Sequence, residues 1–232
     1  MVSQVIYALL GGILPALVWL LFWLREDRKN PEPKRLIMRT FILGMIAVIL
    51  VLPLQKGVEM LFAGGITILS LAVWAFLEEG LKLGAGYFGG LASREDNEPI
   101  DPMIYMITAA LGFVSLENAL FILGPMLGGD IATSIITGNL RFIGASLLHV
   151  VSSAIIGVSI SFSFYSSKGV RLLAGILGLG LAIIFHTGFN VAIIKWDEMG
   201  TLYAFGTVWI AIVAMIFAFE KAKTLRAPNT KL

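Results

Sequence analysis

Seven apolar runs, each long enough to cross a lipid bilayer, follow one another along this chain of 232 residues. They cover approximately residues 4–24, 36–54, 62–90, 103–124, 139–165, 170–194 and 201–219. A helix needs about 20 mainly apolar residues to cross a hydrocarbon core about 30 Å thick. Because only 14% of the residues are charged, the sequence predicts an all-α fold, a polytopic transmembrane helix bundle. We expect a single integral membrane domain over residues 1–232, and Pro53 is expected to end or kink the second helix.

Lysine and arginine gather in alternate loops between these runs. One side carries the basic first loop (25–35), Arg94, Lys168, Arg171 and the tail residues Lys221, Lys223, Arg226 and Lys231, whereas the other carries Lys56, Lys195 and Arg141. Because cytoplasmic loops are enriched in basic residues, we expect the 25–35 loop and the 220–232 tail to be cytoplasmic. The N-terminus is then outside the cell membrane. A net charge of +2 indicates no nucleic-acid partner, and the lack of cysteine excludes disulfides and thiol catalysis.

The third run carries three charged residues near its centre, namely Glu78, Glu79 and Lys82. A charge at the bilayer centre costs roughly 2.5–3.5 kcal/mol on insertion scales, so these residues need a function or a partner. Lys82 follows Glu78 by four residues, which predicts an ion pair on one helix face. Glu79 then points about 100° away from Glu78. One carboxylate would be held ionised while the other moves a proton, although a purely structural ion pair between helices is the alternative.

Three further runs carry polar groups at a similar depth. Glu117 and Asn118 lie in the fourth run, His149 in the fifth, two turns after Arg141, and His186 and Asn190 in the sixth. Each residue alone is compatible with a protonated glutamate or a satisfied core histidine. However, Glu78, Glu117, His149 and His186 all lie within about four residues of mid-span, which is one narrow layer at a rise of about 1.5 Å per residue. We therefore expect them to converge on one site inside the bundle.

Carboxylates and imidazoles together are suited to activating water, by either of two mechanisms. In the first, Glu78 or Glu79 is the general base, a histidine donates a proton, and Asn190 helps to stabilise the oxyanion. In the second, a metal such as zinc is held by Glu117, His149 and His186, and a free glutamate is the base. The chain has no HExxH motif, so spacing does not choose between a bound zinc and no cofactor.

The order of these motifs resembles the PrsW family of intramembrane proteases. The motifs are Glu78-Glu79-x-x-Lys82, Phe113-x-x-x-Glu117-Asn118, His149, His186-x-x-x-Asn190, and a first loop with Asp27 and Pro31-Glu32-Pro33. The resemblance covers roughly residues 20–195 and implies that Glu78, Glu79, Glu117, His149 and His186 are essential, with Asn190 as an oxyanion partner. The family is similar to CAAX-processing and bacteriocin-immunity membrane proteins, which usually have histidine where this chain has Glu117.

The resemblance implies a hydrolase that cuts membrane-anchored proteins within the lipid bilayer. In the best-known branch of the family the substrate is an anti-sigma factor, cut on its outer side in regulated proteolysis. Two other functions are compatible with the residues alone. A proton-coupled transporter would use the Glu/His cluster as a relay, but no inverted repeat or broken helix is visible. A non-catalytic member of the same fold would tolerate loss of Glu79 or His186.

Overall fold

Every regular element within residues 1–62, 65–196 and 198–227, which the computed structural model describes, is a helix. The helices are α1 (Val2–Trp23), α2 (Lys34–Leu61), α3 (Ile68–Gly86), α4 (Asp101–Leu127), α5 (Ile131–Leu140), α6 (Ser146–Phe162), α7 (Lys168–Lys195) and α8 (Glu198–Lys223). One π-helical turn, Tyr87–Leu91, prolongs α3, and another, Arg141–Ala145, joins α5 to α6 as one continuous rod. The all-α prediction is confirmed.

Six of these rods have both the length and the apolar composition of a membrane-spanning helix, with α5 and α6 counted together. The remaining rod, α3, is 19 residues long and carries three charged side chains, which sets it apart from the others by composition. All three of them, Glu78, Glu79 and Lys82, are buried in the bundle interior. The chain is therefore a membrane-embedded helix bundle whose polar residues face inward, as lipid requires.

Three predicted helix boundaries are wrong. The rod of α5 and α6 begins at Ile131 rather than near residue 139. Pro53 does not end α2, which continues to Leu61, because a spanning helix tolerates a proline when neighbouring groups satisfy the freed carbonyl. The third helix begins at Ile68 rather than near residue 62, because a capping box fixes its start. The Ser70 amide donates to Thr67 Oγ1 at 3.0 Å, and the Thr67 amide donates to Ser70 Oγ at 2.8 Å. At the C-terminal end α8 continues to Lys223, while Lys231 lies outside the described residues.

Helix α4 is the centre of the bundle, and α1, α2, α3 and α6 pack around it. Glycines allow the closest approaches. A Cβ atom on Gly12 of α1 would lie 2.2 Å from the Ser115 carbonyl oxygen, and one on Gly44 of α2 would lie 2.2 Å from the Ala109 carbonyl oxygen. Such backbone contact is the usual device for packing helices in a membrane. It brings α2, α3 and α6 close enough to α4 for their polar side chains to meet.

Candidate active site

Lys82 neutralises one of the two adjacent carboxylates of α3, and it is Glu79. The Lys82 ammonium lies 2.6 Å from Glu79 Oε1, and both side chains are fully buried. The predicted Glu78–Lys82 pair is therefore wrong. Residues three and four apart both share a helix face, and tertiary contacts decide between them: Lys82 Nζ also donates to His149 Nδ1 at 2.9 Å and lies 4.9 Å from the centre of the Phe113 ring.

Glu79 has hydrogen-bond partners on both oxygens. Besides Lys82, its Oε1 atom accepts from His186 Nδ1 at 2.7 Å, and its Oε2 atom accepts from Ser153 Oγ at 3.1 Å. These bonds come from α3 itself, α6 and α7, so Glu79 joins three helices at one point. Because both of its oxygens are bonded, Glu79 is the carboxylate that is held in place, and Glu78 is the freer of the two.

Glu78 is bonded through one oxygen only. Its Oε1 atom accepts from Gln55 Nε2 at 2.7 Å, whereas Oε2 is buried and has no hydrogen-bond partner. The unpaired Oε2 lies 3.7 Å from His186 Nε2 and 3.9 Å from His149 Nδ1. A buried oxygen without a donor is costly, so the arrangement indicates that a proton, a water molecule or a cation belongs at this point.

The neighbours of the two imidazole rings fix their tautomers. Because Glu79 can only accept when ionised, His186 donates to it through Nδ1 and directs Nε2 toward Glu78. The Lys82 ammonium can only donate, so His149 accepts at Nδ1 and carries its proton on Nε2, 3.1 Å from Glu117 Oε2. The two rings meet edge to face with centroids 5.2 Å apart.

Arg141 holds the third carboxylate, Glu117. The guanidinium forms an ion pair with Glu117 Oε2 through Nη2 and donates through Nε to Asn118 Oδ1 at 2.6 Å. Asn118 in turn donates to Ser146 Oγ at 3.0 Å, and the guanidinium lies 3.9 Å from the centre of the Phe121 ring. Arg141 lies in the π-helical turn that interrupts the α5–α6 rod, which brings it to the site rather than leaving it in lipid.

A cavity of about 660 Å³ leads from this cluster toward the end of the bundle where α2 and α4 end and α3 and α8 begin. Its walls are mainly apolar and include Leu71, Trp74, Phe189 and Phe205. Glu78, Glu117, His149 and His186 lie on its wall together with Asn190, one turn after His186. The Asn190 amide makes no side-chain hydrogen bond within the described part of the chain, so it is free to bind a molecule in the cavity.

The metal-ligand set expected from the sequence is not the one that the side chains bring together. Among the described residues, Glu78, His149 and His186 each offer a ligand atom, and these atoms lie within 4.8 Å of one another. Glu117 is instead engaged by Arg141. Ligands of a tetrahedral zinc, each about 2.0–2.2 Å from the metal, are about 3.3–3.6 Å apart, close to the 3.7 and 3.9 Å found here. The donor set fits a zinc ion if Lys82 releases His149 Nδ1 and keeps Glu79.

Sequence reasoning missed three hydrogen-bond partners at the site, namely Gln55, Ser146 and Ser153. Gln55, the donor to Glu78, lies two residues beyond Pro53, where the second helix was expected to end or bend. An uncharged polar side chain on the apolar continuation of α2 was the available signal. All the residues that the sequence predicted for the site lie in or next to the cluster. The expected convergence of Glu78, Glu117, His149 and His186 therefore agrees with the geometry.

Comparisons with known proteins agree with this geometry. Residues 32–219 match a family described as PrsW family intramembrane metalloprotease. The chain is 26% identical over 220 residues to Protease PrsW of Halalkalibacterium halodurans, covering 93% of this chain and 95% of the relative. It is 26% identical over 227 residues to Protease PrsW of Bacillus subtilis, with 94% and 95% covered. The Geobacillus kaustophilus protein of that name is 32% identical over 163 residues, with 68% and 65% covered. No solved structure matches the chain significantly.

Proposed function

The chain belongs to the PrsW family of intramembrane metalloproteases, and on this basis we propose that the Glu/His cluster is its peptidase active site. The observation that carries the proposal is the unpaired Oε2 atom of Glu78, buried between two imidazoles. The cluster also lies at the end of an apolar cavity large enough for several side chains. Buried carboxylates and histidines at such a cavity are suited to moving protons during hydrolysis.

Glu78, His149 and His186 are the residues that would hold a divalent metal, which the family description, metalloprotease, implies. Such a metal supplies Lewis-acid polarisation of a carbonyl and lowers the pKa of bound water. Glu79 orients His186 through Nδ1 and leaves Nε2 directed at Glu78. This carboxylate–histidine arrangement is the usual support of a metal ligand, and Gln55 gives the same kind of support to Glu78.

Glu117 is our candidate for the general base. Arg141 and His149 both contact its Oε2 atom, which keeps the carboxylate ionised and fixes its direction. The side chain is 16% exposed and lines the cavity, so its second oxygen is available to a substrate water. Glu117 would accept the proton of the attacking water and pass it to the leaving amine, while the Asn190 amide donates to the carbonyl oxygen as negative charge develops.

A metal-free mechanism assigns the base differently, and one observation favours it: Lys82 bonds His149 Nδ1, the nitrogen that a metal would need. In that mechanism Glu78 itself takes the proton of water, with His186 beside it. The metal mechanism requires bound metal in the wild type, which Glu78→Gln should lose and Glu117→Gln should keep, whereas the metal-free mechanism requires none.

The substrate is a membrane protein, as the family implies, and we propose a single-span protein of the anti-sigma-factor type, as in the best-known branch. The apolar cavity wall supports binding of a hydrophobic segment beside the scissile bond. The cavity extends away from the end of the bundle that holds the basic 25–35 loop and residues 220–227, the described part of the tail. With these segments cytoplasmic and the N-terminus outside, cleavage would take place from the outer side. We propose residues 1–232 as one protease domain.

The experiment is reconstitution of the purified protein with a single-span substrate, with cleavage followed by gel and bound metal by elemental analysis. Glu78→Gln, Glu117→Gln and His186→Ala are expected to abolish cleavage. Glu59→Gln, which alters another carboxylate on the cavity wall, is the matched control and should cleave normally. Metal should be lost from the Glu78 and His186 variants and kept by Glu117→Gln. Normal cleavage by all three variants would overturn the site. Metal lost from Glu117→Gln and His186→Ala but kept by Glu78→Gln would restore the ligand set first expected.

A further inference from the structure

A second group of carboxylates lies at the far end of the bundle from the cavity of the active site. Asp27 of the α1–α2 loop, Glu98 of the α3–α4 loop and Asp101 at the start of α4 each offer an oxygen, and these oxygens lie within 4.8 Å of one another. Asp27 is 4% exposed and Asp101 is 1% exposed. Hydrolysis in the membrane layer uses none of these three residues, which we call the loop carboxylate cluster.

Short hydrogen bonds hold the loop carboxylate cluster in place. Asp101 Oδ2 accepts from the backbone amides of Asn97 at 2.8 Å and Glu98 at 2.6 Å. Asp27 Oδ2 accepts from the Glu32 amide at 3.0 Å. The other oxygen of Asp101, Oδ1, is buried and receives no donor, and a fourth carboxyl group, that of Glu32, lies against Asp101. An oxygen buried in this way among carboxylates indicates that a cation or a proton belongs there.

Basic side chains nearby do not supply that charge. Arg25, Arg28 and Lys29 line the adjoining cavity of about 530 Å³, as do Asp27 and Glu98. Within the described residues, none of these three cations forms an ion pair with the cluster. Lys223, on the same cavity, pairs with Glu26 and Glu220 instead. Burial, together with the nearby Asp101 and Glu98 carboxylates, raises the pKa of Asp27 to about 6.

From this geometry we infer that the loop carboxylate cluster is a binding site for a hard divalent cation of the Ca²⁺ class. Ca²⁺ prefers carboxylate and other oxygen ligands in flexible geometry and does not require histidine. One oxygen from each of three chain segments would bind the ion, so the ion would tie the α1–α2 and α3–α4 loops to the start of α4. The site differs in ligand chemistry from the Glu/His cluster and is independent of the proposed peptidase activity.

Terbium luminescence tests the site, because Tb³⁺ replaces Ca²⁺ and emits when a nearby tyrosine is excited. Tyr105 donates to Glu32 beside the cluster, and Tyr165 lines the adjoining cavity. We expect a saturable emission from the full-length protein in detergent, displaced by Ca²⁺. Asp101→Asn should weaken Tb³⁺ binding at least tenfold, and so should Glu98→Gln, which alters a half-buried side chain. The matched control Glu26→Gln, a carboxylate on the same cavity, and His186→Ala should bind as the wild type does.

Thermal unfolding of each variant shows that it is folded, and Ca²⁺ should raise the melting temperature of the wild type but not of Glu98→Gln. The absence of saturable emission would overturn the inference, as would equal losses in Glu26→Gln and Glu98→Gln. The inference would also be overturned if Ca²⁺ left the melting temperature of the wild type unchanged and the melting temperature fell as the pH rose toward 6. That result would mean that protons neutralise the cluster, since carboxyls with a raised folded-state pKa lose stability as they ionise.

Discussion

Replacing Lys82 by methionine tests the corrected pairing in α3. The substitution keeps the length of the side chain and removes only the ammonium, which lies 2.6 Å from Glu79 Oε1 with both groups fully buried. At this distance and an effective dielectric constant of about 20, the pair attraction is roughly 6 kcal/mol before desolvation is counted. Leaving one member of a buried pair uncompensated costs about 3–5 kcal/mol. Because Glu79 keeps His186 and Ser153 as donors, we expect about 3 kcal/mol.

A double-mutant cycle identifies the partner. Lys82→Met combined with Glu79→Gln removes both charges, and most of the lost free energy of unfolding should return. Combined with Glu78→Gln, the same substitution should give no recovery, because Glu78 is bonded by Gln55 rather than by Lys82. Reversible unfolding in mixed detergent micelles with increasing sodium dodecyl sulfate measures each free energy, extrapolated linearly.

Two results would refute this reasoning. Recovery with Glu78→Gln and none with Glu79→Gln would mean that Lys82 pairs with Glu78, as the i,i+4 spacing first suggested. A loss below about 1 kcal/mol for Lys82→Met would mean that Glu79 is not an uncompensated buried anion without Lys82, contrary to the cost of such a group.

Four further outcomes follow from the same geometry. Gln55→Leu removes the donor to Glu78 Oε1 and should lower cleavage about 10–100-fold, as loss of a supporting hydrogen bond at a metal ligand does; unchanged rates would deny Gln55 this role. Asn190→Ala should lower kcat by about 10²–10³ with little change in KM if its amide binds the oxyanion, and a change in KM alone would contradict that. Chelation of divalent metal should abolish cleavage and zinc should restore it, whereas indifference to chelator would favour Glu78 as the base. Gly44→Ala should lower the free energy of unfolding by about 1–3 kcal/mol through overpacking, because the new Cβ would lie 2.2 Å from the Ala109 carbonyl oxygen. Gly57→Ala on the same helix is the control, since its new Cβ would have no neighbour within 4 Å.

The bundle and the layer of polar residues could be predicted because a membrane simplifies the physics. Apolar length determines where each helix crosses, and the cost of buried charge forces Glu78, Glu117, His149 and His186 inward. Depth alone then brings them to one level. The start of α3 was less predictable, since the Thr67–Ser70 capping box lies inside an apolar run that a hydropathy pattern reads as continuous.

Pairing within that layer could not be predicted, because it depends on how neighbouring helices are rotated. Glu78 and Glu79 both lie within reach of Lys82 along the helix, and only the position of His149 on α6 selects Glu79. Which carboxylate joins the two histidines as a candidate metal ligand likewise depends on the position of Arg141. Its π-helical turn directs the guanidinium at Glu117, which leaves Glu78 as the carboxylate that faces both histidines.

The balance of charges in the polar layer explains why Glu78 is the carboxylate able to bind a proton or a cation. The polar layer holds three carboxylates, Glu78, Glu79 and Glu117, and two cations, Lys82 and Arg141. Apart from the histidines, three negative and two positive charges leave a net charge of −1. Glu79 and Glu117 are each paired, so the deficit lies at the unpartnered Oε2 of Glu78. A proton there brings the layer to zero and a divalent cation brings it to +1, and the two compete for the same oxygen. If Glu78 holds that proton, we expect metal uptake at the proposed site to release it, which would couple metal occupancy to pH through Glu78.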